Sequence, residues 1–353
     1  MSDERILTPN RSDWGILYKF YVHLLNLLGE ARVHTEIDGV NRTLNPSSTS
    51  KKQSGSNVRA IKLILRLFIK LFVELYRKVF YLNTWFILYD QCADGPVTFH
   101  SFRKIIPPKD RFWADPHVIS VNDHHYVFIE EFLYKSKKGH IAVLEIDPHG
   151  NYSPPVQVLE TDDHLSYPFV FEWEGQYYLV PESAENNRID LYKCVEFPHQ
   201  WKFLQSLMEN VCAVDTTLFN YLGKWWLFTG IAENKARLPY VRLHLFYSDD
   251  LFTRVWTPHP QNPIVSDVAR ARPAGSLYIK NGKIYRPSQD CSKMYGYGLY
   301  INEVLVLSET EYLEREAASF RPDRDQQIKG IHTFSRNGTL TVIDAFTRRR
   351  RLF

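Results

Sequence analysis

Residues 114–132 read ADPHVISVNDHHYVFIEEF: an apolar strand, a tight Asn122-Asp123 turn, and a second strand rich in aromatic and β-branched residues. The same form returns four times. It recurs as SYPFVFEWEGQYYLVPES from Ser166, VDTTLFNYLGKWWLFTG from Val214, RPAGSLYIKNGKIYRPSQD from Arg272 and IHTFSRNGTLTVIDAF from Ile331. The later turns read as Glu174-Gly175, Leu222-Gly223, Asn281-Gly282 and Asn337-Gly338, and successive turns lie 52, 48, 59 and 56 residues apart. A repeat of this length, built on a hairpin, is the signature of a propeller blade.

The outer parts repeat as well. Tyr192, Phe197 and Trp201 have the same spacing as Tyr247, Phe252 and Trp256, which places these aromatics in the core between blades. Five units fill residues ~100–346. TWFILYDQ (84–91) and FHSFRKI (99–105) precede the first and are expected to close the ring as outer strands of the last blade. The reading is an all-β, five-bladed β-propeller over 83–353 with an N-terminal helical extension. An open β-sandwich leaves the five similar hairpins unexplained.

Upstream, residues 12–32 read as a short helix capped by Ser12, and residues 38–57, rich in Ser, Asn and Gly, as a linker. Residues 58–82 place Arg59, Lys62, Arg66, Lys70, Glu74, Arg77 and Lys78 on one helical stripe, with Ile, Leu, Phe, Val or Tyr elsewhere. Such a basic amphipathic helix either packs on protein or lies on an anionic membrane surface. It has no uninterrupted apolar run long enough to span a bilayer.

The net charge is +3, but residues 51–80 alone carry +7, so the remainder carries −4. That distribution argues against nucleic acid as a partner of the folded domain. The four cysteines show no ligand spacing and fit reduced thiols. No secretory signal is apparent, so the expected location is cytoplasmic, at the inner face of the membrane if the helix docks there. No cofactor or metal motif is found.

A propeller's innermost strands line a central funnel. The repeats begin with Asp115, Tyr167, Asp215, Arg272 and His332, and the second strands end in Glu130-Glu131, Glu182 and Arg286 to Asp290. Clustered carboxyls divide acid and base roles, because burial and repulsion separate their pKa values. Asp115, Glu182 and Asp215 are therefore the candidate catalytic residues for glycosidic bond chemistry. The alternative is that strand-end acids bond the backbone amides of the next blade. Arg111, Arg272 and Arg286 are candidates for an anionic part of a ligand. Trp113, His164, Tyr167, Asp290 and His332 complete the candidate binding set.

FWADPHV (112–118) resembles the first-blade Asp-Pro motif of the propeller glycosidases of glycoside hydrolase families 43 and 32, which implies a base or nucleophile at Asp115. PPKDRFWADPHV, HLSYPFVFEWEGQYYLVPES, AVDTTLF, GKWWLF, HPQNPIVSDVARARPAG and RPSQDCSKMYGYGL together resemble a longer module. This is the N-terminal propeller domain family of glucosamine inositolphosphorylceramide transferase. The resemblance implies a glycan context: a carbohydrate or sugar-phosphate ligand, and either catalysis or a scaffold role beside a separate glycosyltransferase. The glycosidases carry a second Asp where this chain has Tyr167. Some hold an ion near a fifth-blade His, for which His332 is the counterpart.

Overall fold

The computed structural model describes residues 63–64, 66–73, 80–91, 101–232, 241–322 and 327–350. The expected helix at 12–32, the linker at 38–57 and Cys92 lie outside the described residues. The chain divides into two units, Met1–Tyr76 and Arg77–Phe353.

In the first unit, residues 63–64 and 66–73 are helical. Leu63, Ile64, Leu67, Phe68, Ile69 and Phe72 are all exposed. Among the described residues no helix is long and apolar enough to cross a membrane. The expected helix overran its end by two residues: Tyr81 and Leu82 already belong to the first strand, which pairs along its whole length.

The second unit is a five-bladed β-propeller of five four-stranded antiparallel sheets. Blade one holds β3 (Arg111–Val121), β4 (His124–Leu133), β5 (Lys138–Ile146) and β6 (Val156–Leu159). Blade two holds β7 (Ser166–Trp173), β8 (Gln176–Glu182), β9 (Arg188–Glu196) and β10 (Gln200–Glu209). Blade three holds β11 (Ala213–Tyr221), β12 (Lys224–Ile231), β13 (Arg242–Ser248) and β14 (Thr257–Pro258). Blade four holds β15 (Tyr278–Lys280), β16 (Lys283–Asp290), β17 (Gly298–Leu307) and β18 (Tyr312–Phe320).

Blade five joins the two ends of the unit. Its inner strands are β19 (Phe334–Asn337) and β20 (Leu340–Arg350), and its outer strands are β1 (Tyr81–Asp90) and β2 (Arg103–Ile105). β1 and β20 pair from Tyr81↔Arg350 to Asp90↔Thr341, so the closure expected from residues 84–105 is present. The last hairpin turns one residue later than read: Asn337 pairs with Leu340, which leaves Gly338 and Thr339 in the turn.

The core is distributed between blades. One cluster joins Phe128 and Ile141 of blade one to Leu179, Tyr192 and Trp201 of blade two. Others join Phe169 to Trp225 and Trp256, Phe228 to Ile284 and Tyr312, Leu299 to Phe334 and Ile343, and Val127 to Ile87 and Val342. Each flat blade buries its two faces against its neighbours. The repeated aromatics serve this packing, except that Phe252 stays at the rim, 38% exposed, with its ring 5.7 Å from Tyr178.

Candidate functional site

At the axis, three inner strands carry the same irregularity. The register of β3 with β4 slips between Ala114 and His117, that of β7 with β8 between Ser166 and Phe169, and that of β11 with β12 between Val214 and Thr217. At each slip one residue adopts a left-handed backbone: Asp115 (φ 52°), Tyr167 (φ 42°) and Asp215 (φ 51°). Asp tolerates this conformation better than most residues; for Tyr it is an outlier held by its surroundings. A bulge of this kind re-aims a side chain.

The bulges help shape one cavity of about 260 Å³, lined by Trp85, Phe112, Ala114, Asp115, Glu130, Phe132, His164, Ser166, Glu182, Asp215, Arg272, Tyr295 and His332. Of the sequence candidates, Asp115, Glu182, Asp215, His164, Arg272 and His332 meet there.

The other five candidates lie outside the lining. Arg111 pairs with Asp110 at 3.0 Å and Glu131 at 3.1 Å, and Trp113 donates its indole N–H to Glu131 at 2.8 Å. Tyr167 is fully buried, with its hydroxyl 2.9 Å from Thr217 Oγ1 and accepting the Gly275 N–H at 2.8 Å. Arg286 makes a two-pronged contact with Glu314, donating Nε–H to Oε2 at 2.8 Å and Nη2–H to Oε1 at 2.7 Å. Asp290 faces Arg321 at 3.2 Å.

Within the cavity, three of the four lining acids fall into two groups. Asp115 Oδ1 accepts the Thr333 hydroxyl at 2.9 Å, and Oδ2 accepts the Tyr167 amide at 3.2 Å. Burial, partly offset by His332, raises its carboxyl to about 6. His332 Nδ1 lies 2.5 Å from Asp344 Oδ2 and 3.7 Å from Asp115 Oδ1. Burial disfavours the imidazolium, but these carboxylates outweigh it and raise the His332 pKa. The Trp85 ring stacks on His332 at 3.9 Å.

The second group centres on Arg272, whose Nε lies 2.5 Å from Asp215 Oδ2 and whose Nη2 lies 3.7 Å from Glu182 Oε2. Its guanidinium also sits over the Tyr295 ring at 5.1 Å. Gln289 donates to Asp215 at 3.1 Å. Glu182 accepts the Asp215 amide at 3.0 Å, and burial, with the Asp215 charge beside it, holds its carboxyl well above the usual range.

Asp115, His332 and Asp344 offer ligand atoms within 4.8 Å of one another, the arrangement a cation would need. Asp344 is the most heavily engaged of the three. Asp344 accepts the amides of Asp115, His332 and Thr333, each at 2.9 Å, and faces the imidazole nitrogen besides. His332 turns Nδ1 toward both carboxylates, so an Nδ1–H donor already occupies the space between them that a metal ion would need.

Sequence reasoning missed Asp344, Trp85, Tyr295, Gln289 and Thr333. Asp344 had a visible signal, being the acid that interrupts the apolar second strand of the last repeat, TVIDAF.

Fold and cavity together define a five-bladed propeller with a carboxylate-lined axial site. Two solved structures share the fold: an α-L-arabinofuranosidase of Podospora anserina in complex with cellotriose (TM-score 0.51, 13% identity, 75% of this chain and 97% of that one) and the catalytic domain of a Coprinopsis cinerea GH62 α-L-arabinofuranosidase (TM-score 0.50, 10% identity, 74% and 97%). The family described as glucosamine inositolphosphorylceramide transferase 1, N-terminal, matches residues 93–342, and the chain belongs to it. It is 34% identical over 212 residues to the glucosamine inositolphosphorylceramide transferase 1 of Arabidopsis thaliana, covering 58% of this chain and 27% of that protein. The Oryza sativa subsp. japonica relative is 33% identical over 206 residues, with the same coverage. The chain thus spans about a quarter of the length of these relatives.

Proposed function

We propose that this carbohydrate-active propeller makes or breaks a glycosidic bond in its axial cavity, in the assembly of a cell-surface glycan or glycolipid. The supporting observation is the division among carboxyls that face one space. Asp115 is raised to about 6 and is ionised at neutral pH, whereas burial and the neighbouring Asp215 charge push Glu182 well above the usual carboxylate range, toward its neutral form. A base and an acid facing one cavity are what glycosidic chemistry requires. Trp85, Phe112, Phe132 and Tyr295 supply flat faces for a sugar ring. Arg272 is engaged by Asp215 and Glu182, so its part is to shape the acid cluster rather than to hold a free anionic group.

The test is turnover of a panel of 4-nitrophenyl glycosides and nucleotide-sugar donors by the purified chain. Turnover abolished by Asp115→Asn, in a variant that still folds, supports the reading. Retained turnover in that variant removes Asp115 from the chemistry.

A binding-only propeller beside a separate glycosyltransferase is the second reading. It is favoured by one observation: Asp115, Glu182 and Asp344 each accept a backbone amide from the next blade. Sugar binding without turnover of any donor or oligosaccharide would select it.

We also propose that the first unit docks at an anionic membrane surface on the cytoplasmic side, through the exposed Leu67, Phe68, Ile69 and Phe72 with Arg66 and Lys70 alongside. Cosedimentation with phosphatidylserine vesicles, lost in a Phe68→Asp/Phe72→Asp variant, is the expected result. Equal pelleting of both proteins overturns it.

A further inference from the structure

Glu130 stands apart from the other cavity acids. It pairs across the hairpin with Ala114, one residue before Asp115, and so faces the same space as the expected base. Its side chain is only 8% exposed. Asp215 and Glu182 share Arg272, and Asp115 has His332. Among the described residues, no Arg or Lys forms an ion pair with Glu130.

The group that does face it is His164, with Nε2 3.4 Å from Glu130 Oε1. The other ring nitrogen, Nδ1, accepts the Gly139 amide at 2.8 Å. An Nδ1 lone pair used in this way cannot also carry a proton, so the ring is neutral and its one N–H sits on Nε2, the nitrogen nearer Glu130. Burial lowers the His164 pKa in the same sense. The imidazole therefore sets a neutral N–H beside Glu130 without supplying the charge that would ionise it.

Local packing is built around this contact. A Cβ on Gly139 would lie 2.6 Å from His164 Cε1, 2.7 Å from the Leu165 carbonyl oxygen and 2.9 Å from Glu130 Oε1. Gly139, the second residue of β5, is what lets His164 and Glu130 approach the strand. The His164 side chain is 34% exposed, so protons have a short route to Glu130 from outside.

We propose that Glu130 is the proton donor of this site and His164 its positioning residue. The inference rests on the glycosidic reading of the cavity and changes the acid expected from sequence. Glu182 is occupied by the Asp215 amide and the Arg272 guanidinium, whereas Glu130 presents a carboxyl with neither. Burial, reinforced by the neighbouring carboxyls of Asp115 and Glu182, pushes that carboxyl well above the usual range.

In the step itself, the Glu130 O–H proton passes to the leaving glycosidic oxygen as the anomeric C–O bond breaks and its electron pair stays with that oxygen. Water or an acceptor hydroxyl attacks the anomeric carbon and gives its proton to the Asp115 carboxylate. The products are a free alcohol and a sugar with one new C–O bond. Asp115 then releases its proton to solvent and Glu130 regains one from solvent.

The experiment uses the full chain and matched glycosides of one sugar, one with a 4-nitrophenyl leaving group and one with a methyl leaving group. A nitrophenolate leaves without protonation, whereas an alkoxide does not. Glu130→Gln is expected to lose ~10²–10⁴-fold on the methyl glycoside while staying within about tenfold on the nitrophenyl one. It should also lose the high-pH arm of the rate profile. His164→Ala is expected to shift that arm and lower kcat without removing it. Glu182→Gln should affect both substrates alike.

If turnover depends on Asp115 but Glu130→Gln changes both substrates equally, or neither, the proton-donor assignment is overturned alone. If the wild-type chain cleaves neither glycoside and transfers from no nucleotide sugar, the glycosidic reading falls, and this assignment with it. Glu130→Asp, which keeps the acid but shortens its reach, gives the same comparison if the Gln variant does not fold.

Discussion

The Tyr167 amide donates to Asp115 Oδ2 at 3.2 Å and thereby ties blade two to blade one. The same device appears at two more junctions. Asp344 of blade five accepts the Asp115 amide at 2.9 Å, and Glu182 of blade two accepts the Asp215 amide at 3.0 Å. In each case the amide belongs to the left-handed residue of the next inner strand, whose N–H the bulge has freed from the ladder. The axial acids are at once the clamps of the ring and the walls of the cavity. The two readings of strand-end acids, structural and chemical, do not exclude each other here. A clamp that immobilises a carboxylate also supplies the fixed geometry that catalysis needs.

Asp344 carries the most of this burden, serving three amides and an imidazole. Asp344→Ala should destabilise the propeller by ~3–5 kcal/mol, because it leaves three buried amide donors and the His332 ring without their partner. Asp344→Asn, which keeps one accepting oxygen, should cost less. Urea unfolding checks both; the midpoint should fall while the slope stays constant.

Activity should rise with pH through about 6, where Asp115 ionises, and fall about tenfold per unit below it. The effect on stability runs the other way. The Asp115 pKa is raised in the folded state, so the protonated fold is favoured at low pH, and that contribution is lost as pH rises from ~4 through about 6. The loss amounts to ~3 kcal/mol from this group. Parallel profiles of kcat/KM and of unfolding free energy should therefore slope in opposite directions across this window. Parallel slopes would contradict the assignment.

Glu131 behaves in the opposite sense. Burial alone would raise its carboxyl, but hydrogen bonds from His140, Trp113 and Arg111 outweigh burial and bring it down to about 2. Its folded pKa is depressed, so its stabilisation is full above the ordinary 4.5 and is lost as pH falls toward about 2. Glu131→Gln should cost ~2–3 kcal/mol at pH 7. The difference from wild type should shrink on acidification, as read from melting curves over that range.

The fold was legible because five similar hairpins recur at intervals of 48 to 59 residues, and strand closure follows from the leftover strands. The site was legible only in part, for a reason that counting exposes. Glu130, Glu182 and Gln289 each lie seven residues after the second residue of their turn. Side chains alternate faces along a strand, so Arg286 and Asp290, at even offsets, are carried away from the axial face that Gln289 takes. Glu131 likewise turns from the cavity and draws in Arg111 and Trp113. Tyr295, from the segment after β16, and Trp85, from the closing strand, come from outside the repeat and had no periodic signal. The left-handed turn at Tyr167 was equally hidden, since nothing in SYPFV announces a positive φ at a tyrosine.

The remaining junctions explain one more requirement. Between blades three and four, Asp215 accepts from Gln289 and faces Arg272. Between blades four and five, among the described residues, backbone meets backbone: the Phe334 amide donates directly to the Ala274 carbonyl at 2.7 Å. Backbones can come this close because the next residue is Gly275, at φ 131°, where a Cβ would sit 1.8 Å from the Phe334 carbonyl oxygen. That overlap is with backbone, so no side-chain rotation relieves it, and an alanine at this φ is strained besides. Gly275→Ala must therefore open the junction between blades four and five. The Gly275 amide also donates across the axis to the Tyr167 hydroxyl, so the opening would reach blade two. Tyr167→Phe deletes only the hydroxyl and leaves a buried amide and Thr217 to find other partners, at ~1–3 kcal/mol. Melting temperatures of the two variants should rank wild type above Tyr167→Phe above Gly275→Ala. The reverse order would mean that blades four and five are not held by backbone contact.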